Sequence, residues 1–210
     1  MPRRPRTAPR RTPRQQRAED TVAILLEATE RVMAERGFAG ATTNHIAEVA
    51  GVSIGTLYHY FPTKEALVEA VVHRMWRTEL EAFAAHGALL QEAPLEEAVP
   101  ALVSALASVV TKKMALYRRW YGEASNLGQL GVGLDMSGEA IAAVRAALER
   151  SRSRVRPKDA GFAADLVVKT VLAVVRTATR DYPKQLESGE LAHELSQMIV
   201  RYLLHAEAPC

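Results

Sequence analysis

The residues with the clearest chemical potential lie in one run, from Thr42 to Lys64. Two short helix-patterned stretches, Thr43 to Ala50 and Ile54 to Tyr60, flank Gly51-Val52-Ser53. The second stretch leaves Gly55, Thr56, Tyr58 and His59 on its outer side, a surface with no acid. That chemistry is recognition, not bond-breaking. In the major groove of double-stranded DNA, Thr56 can meet a thymine methyl or a base edge. Tyr58 and His59 can donate to phosphates or bases, and Gly55 lets backbone approach backbone. Thr42 or Thr43 offers a hydroxyl and the free N–H groups of a helix start to a phosphate. Lys64 stands in the first turn of another helix, where a cation is disfavoured unless an anion lies opposite.

No comparable pattern supports catalysis. Cys210 is the single cysteine, so neither a disulfide framework nor a cysteine-clustered metal site is available. No histidine pair has metal-ligand spacing, no Ser/His/Asp or Cys/His set can be assembled, and no cofactor is called for. An enzyme is not expected. Within the run itself Leu57 and Phe61 are core, and Tyr60 either packs or binds. His45 reads as a solvated helix residue.

The elements that must hold these groups follow from the apolar spacing. Val22, Leu25, Leu26, Thr29, Val32 and Met33 share one face of a helix over about Ala18 to Arg36, and Gly37 supplies its stop. Small Ala47 and Ala50 allow the next two helices to cross closely, Gly51 tolerates the sharp turn, Val52 plugs the gap and Ser53 caps the second helix. Ile46, Val49, Leu57 and Phe61, closed by Phe38, give this unit a core. Pro62 breaks the chain and Thr63 caps a long helix to about Ala85. Two apolar stripes on it, Leu67-Val71-Met75-Thr78 and Val68-Val72-Trp76-Phe83, predict a connector touching two partners. Further helices are expected at about 95 to 112, 114 to 126, 137 to 155, 159 to 181 and 188 to 206. The Gly-rich stretch from Gly128 to Gly133 reads as a mobile connection. The fold class is all-α with about nine helices: a disordered basic arm over 1–17, a helix-turn-helix domain over 18–64, and a helical regulatory and dimerisation domain over 65–210.

Charge is unevenly placed. Residues 1–17 hold seven arginines, four prolines and no acid, leaving 20 basic and 24 acidic side chains in the remainder. Such a tail either aids solubility alone or draws the chain to DNA phosphates, an arginine entering the minor groove being one form of that. No apolar run spans a bilayer and no hydrophobic signal core opens the chain, so a cytoplasmic protein without membrane contact is expected.

The run Thr42-Thr43 followed by Ile46-Ala47, then Ala50-Gly51-Val52-Ser53, then Gly55-Thr56-Leu57-Tyr58-His59-Tyr60-Phe61, then Lys64-Glu65-Ala66-Leu67 resembles the N-terminal domain of the TetR family of bacterial transcriptional regulators. The likeness covers about residues 18 to 70. It implies DNA contacts at Thr43, Ser53, Thr56, Tyr58, His59 and Lys64. It also implies a homodimer on an inverted-repeat operator and a pocket for a small-molecule inducer among the middle helices. The pocket candidates are the aromatic and flexible residues there: Trp76, Phe83, Met114, Tyr117, Trp120, Tyr121 and Phe162, most of which double as ordinary core. Arg118 and Arg119 are either solvated or, if inward, favour an acidic ligand.

Two later helices carry more apolar surface than one neighbour would cover. Between Asp159 and Arg180 the principal charges, Asp165, Lys169, Arg176 and Arg180, form one narrow stripe. Residues Phe162, Leu166, Val174, Leu195, Met198, Ile199 and Tyr202 are candidates for a four-helix dimer interface, unless both helices are simply buried in one chain. The leading expectation is a repressor released from DNA when a ligand favours a different spacing of its two readers. The alternatives are a ligand-independent architectural protein or an activator, and, from another class, a helical small-molecule carrier.

Overall fold

Residues 13–127 and 137–205 are described by a computed structural model. The first helix, α1 (Pro13–Gly40), buries the face its spacing marks, with Leu25, Leu26, Thr29, Val32 and Met33 sealed from solvent. Thr29, polar among them, donates its hydroxyl to the Leu25 carbonyl at 2.7 Å, which satisfies it without leaving the helix. The helix starts at Pro13 and so takes in the last residues of the basic stretch. A proline is tolerated at a helix start, where its missing N–H would have no partner anyway. Residues 1–12 of the expected arm lie outside the described residues, as do the Gly-rich connection and Cys210. Gly37 interrupts α1 with φ of 71°, a backbone state that favours glycine, before a last turn reaches Gly40.

The next two helices, α2 (Thr43–Ala50) and α3 (Ile54–Tyr60), stand where the spacing predicts. Thr42 caps α2 by accepting from the His45 N–H, and Ser53 caps α3 by accepting from the Thr56 N–H. Gly51, at φ 68°, ends α2 in the left-handed conformation, and its N–H returns to α2 carbonyls. Ile46, Ala47, Leu57 and Phe61 are buried between the three helices, with Phe38, Val49 and Val52 packed against them. The long α4 (Lys64–His86) follows, capped by Thr63 through the Ala66 N–H.

Beyond α4 come α5 (Leu89–Glu92), α6 (Leu95–Lys112), α7 (Met114–Leu127), α8 (Gly138–Arg150), α9 (Ala160–Asp181), α10 (Pro183–Ser188) and α11 (Glu190–Leu203). Two of the eleven helical segments among the described residues, α5 and α10, are too short for hydrophobic periodicity to signal; they account for the excess over the expected nine. The eighth ends at Arg150, short of 155, because the chain turns and pairs back: Arg156 N–H donates to the Leu203 carbonyl and His205 N–H to the Arg154 carbonyl. That bridge between Val155 and Leu204 is the single β-type pairing among the described residues. The fold is all-α, a three-helix head on a helical body.

The head is not an appendage. The first helix packs along α7 as well as on α2 and α4, while α4 also packs on α6. In the body α9 lies among α6, α7, α8 and α11. Thus α4 and α7 each touch both the head and the helices that enclose the interior.

Candidate nucleic-acid interface and internal cavity

The outer face of the head gathers most of the groups that the sequence marks. Tyr58 is exposed, and its hydroxyl lies 3.1 Å from Thr43 Oγ1, so α3 and the start of α2 present one continuous hydrogen-bonding surface. The Ser53 hydroxyl lies 2.8 Å from the Thr56 hydroxyl and also accepts the Thr56 N–H. Capping and display are therefore shared by the same pair. Thr42, Gly55 and His59 are exposed; His59 stands edge-on to Tyr60 at 5.1 Å. A side chain at Gly55 would meet nothing nearer than the Ser53 hydroxyl at 3.7 Å, so the fold itself does not demand glycine there. His45 sits 3.3 Å from Glu48 within α2. Ile54, which sequence reasoning did not single out, is an exposed aliphatic residue at the start of α3.

Lys64 differs from its expected setting. Its ammonium donates to the Phe38 carbonyl and lies 4.2 Å from the centre of the Phe38 ring. A cation in the first turn of α4 thus has a partner within the chain: it ties the end of α1 to the start of α4.

The body holds a partly open cavity of about 360 Å³ between α4, α5, α6, α8, α9 and α11. Of the pocket candidates Trp76 and Phe83 line it, and the rest of its wall is mostly leucine and valine. Five pocket candidates need correction. Tyr117 and Trp120 are buried on α7, and Met114 and Tyr121 pack against the core, yet none of these four lines the cavity, because α7 faces α1 and α9. Phe162 points the other way altogether and is 63% exposed. Arg118 and Arg119 are exposed as well, with Arg119 donating to the Glu35 carbonyl.

The polar part of the wall was illegible in the sequence. Glu79 on α4 is buried and forms a bidentate ion pair with Arg176 of α9. Tyr117 donates its hydroxyl to Glu79 Oε1 at 2.7 Å. Burial pushes the Tyr117 hydroxyl pKa far up, and the adjacent Glu79 charge pushes it further, so Tyr117 stays protonated and donating. Burial alone would lower the Arg176 guanidinium; its bonds to Glu79 outweigh that and hold it above its usual value. Of the charged stripe on α9, Arg176 thus faces inward, while Asp165 and Lys169 pair on the outside at 2.7 Å.

A second triad ties head to body. Glu30 of α1 accepts from Arg74 Nε of α4 and from Lys113 Nζ beside α7, each at 2.7 Å. Burial would raise the Glu30 carboxyl, but the two cations hold it below the ordinary carboxylate range. Arg74 and Glu79 lie on one helix, so the two triads share α4.

The described part of the chain carries a three-helix head with cap residues at both turns and a hollow helical body. Residues 25–71 match the family profile described as bacterial regulatory proteins, tetR family, and residues 94–203 match the tetracyclin repressor-like C-terminal domain. The chain belongs to the TetR family. The head contains most of the first match and the body the second. An HTH-type transcriptional regulator of Mycobacterium tuberculosis, itself uncharacterised, is 39% identical over 92 residues, 44% of this chain and 45% of that protein. The chain thus spans less than half the length of the curated relatives it matches first. In fold, a structure from Mesorhizobium loti assigned to the TetR regulators superposes with TM-score 0.67 at 21% identity, over 90% of this chain and 99% of that one. FadR from Bacillus halodurans, a fatty acid degradation regulator, gives 0.61 at 20% identity, over 85% and 97%.

On the far side of the TetR body, α9 and α11 expose Phe162, Leu166 and Met198, large apolar residues at 63, 41 and 53%. Val174 and Tyr202 are half-buried beside them. Leu195 and Ile199 correct the expected interface: both are buried within the chain, and Ile199 lines the cavity, so neither has surface left for a partner. Among the described residues no single helix is long and apolar enough to cross a membrane, and no cluster of three metal-ligating side chains forms.

Proposed function

We propose that this TetR regulator binds DNA as a homodimer and is released from an inverted-repeat operator when a small molecule fills the body cavity. The observation that carries the reading is the course of α4. It follows α3 after three intervening residues, packs on α1 of the head, and delivers Trp76 and Glu79 to the cavity wall. A ligand that prefers one placement of α4 biases the placement of α3, and its leverage equals its differential affinity for the two placements.

Thr56, Tyr58, His59, Gly55 and Ser53 form the reading surface, with Thr42 and Thr43 at the phosphate-facing start of α2. Ile54 adds an apolar group suited to a thymine methyl. Lys64 acts through Phe38, fixing the head on α4, and its ammonium, with three donors, can still meet a phosphate at the same helix end. Phe162, Leu166, Met198, Val174 and Tyr202 pair two subunits. Three exposed large apolar side chains on adjacent helices fit a two-fold interface in which each patch meets its own copy. The cytoplasm is where such a protein works.

The test is equilibrium binding to a mixed-sequence duplex against salt, with sedimentation of the free and bound protein. We expect a dimer in both states and a log–log salt slope of several units, since each neutralised phosphate contributes about −0.9. A monomer on DNA, or affinity indifferent to salt, refutes the proposal.

A further inference from the structure

We infer that the cavity selects an uncharged, largely aliphatic ligand and turns away both carboxylates and amines of the same shape. This rests on the reading of the cavity as the regulatory site.

The wall is aliphatic along most of its length, through residues such as Leu95, Val103, Leu106, Val144, Val171 and Leu172. A cavity of about 360 Å³ holds on the order of a dozen water-sized groups at about 30 Å³ each. That is the size of a medium-chain molecule. The two charges on the wall, Glu79 and Arg176, already answer one another: both Glu79 oxygens accept from the guanidinium, and Oε1 accepts from Tyr117 as well. Their sum is zero. A ligand carboxylate reaching Arg176 must stand beside the Glu79 carboxylate, and a ligand ammonium reaching Glu79 must stand beside the guanidinium. Either ion would leave water without gaining an uncommitted counter-charge, which is costly in an apolar surround. A hydroxyl or carbonyl faces no such penalty. It can share a hydrogen bond at the polar end while its chain lies along the leucines and valines. The paired triad thus acts as a charge filter, and Glu79 is the residue that sets it.

The test uses three ten-carbon probes of matched length, 1-decanol, decanoate and decylammonium. Each is titrated into the full-length protein below its micellar concentration at neutral pH, read by calorimetry and by tryptophan emission. Decanol should bind at least tenfold more tightly than either ion. In Glu79→Gln the guanidinium loses its anion, and decanoate should gain at least tenfold relative to decanol. In Arg176→Gln the gain should pass to decylammonium. Decanoate or decylammonium binding the unmodified protein as tightly as decanol overturns the filter, whether or not either variant folds. Failure of all three probes to bind overturns the cavity as a ligand site and takes the filter with it.

Discussion

Replacing Glu30 by glutamine keeps the shape of the side chain and removes the charge that Arg74 and Lys113 share. Charge-assisted hydrogen bonds are each worth roughly 1.5–3 kcal/mol when well buried. Here the Glu30 side chain is 11% exposed, against 21% for Arg74 and 31% for Lys113, so screening pulls the value down. About 2 kcal/mol for the pair together is the expected loss. In a chain of this length each kcal/mol moves Tm by about 2–4 °C, so Glu30→Gln should melt roughly 4–8 °C lower. Circular dichroism at one fixed protein concentration provides the measurement, since Tm of an oligomer depends on concentration. A pH series sharpens it. Glu30 holds its charge to lower pH in the folded chain than in the unfolded one. Its contribution is therefore complete above the ordinary carboxylate pKa and drains away as pH falls through the lowered folded value. The gap between the two proteins should close in acid. Equal melting at neutral pH, or a gap that persists unchanged below the carboxylate range, refutes the triad as the tie between head and body.

Other outcomes follow from the same geometry. Thr56→Ala should change which duplexes are preferred, because it removes the hydroxyl proposed to meet a base, while the Ser53 cap onto the backbone N–H remains; unchanged preference in a binding-site selection sinks the assignment. Phe162→Glu places a charge in the exposed apolar patch and should convert the proposed dimer to monomer at micromolar concentration, as read by sedimentation. Gly51→Ala meets no atom within 4 Å of the new methyl. Its cost is left-handed backbone alone, about 1–2 kcal/mol, measured as lost stability of the head.

The head was nearly complete in the sequence because each of its turns is local chemistry. Thr42, Ser53 and Thr63 announce helix starts three residues before the N–H they accept from, and Gly37 and Gly51 announce the two positions of the head that need positive φ. The body was legible as helices but not as a site. Glu79 and Arg176 are 97 residues apart, and each alone looks like a solvated charge on a helix; only the packing of α4 on the body turns them inward together. The same holds for Glu30, Arg74 and Lys113. Aromatic content does not mark the cavity wall, since Tyr117, Trp120 and Tyr121 fill the seams between helices while leucine and valine line the space. Leu195, Ile199 and Met198 sit within one helical turn of each other, and the apolar pattern could not say which face looks inward.

The most direct test of the central claim is selection of bound duplexes from a random DNA library with the purified protein at moderate salt. The account predicts a pool that converges on an inverted repeat, with half-sites about 34–36 Å apart and two chains on each repeat. A pool that does not converge, or converges on a single unrepeated half-site bound by one chain, contradicts it.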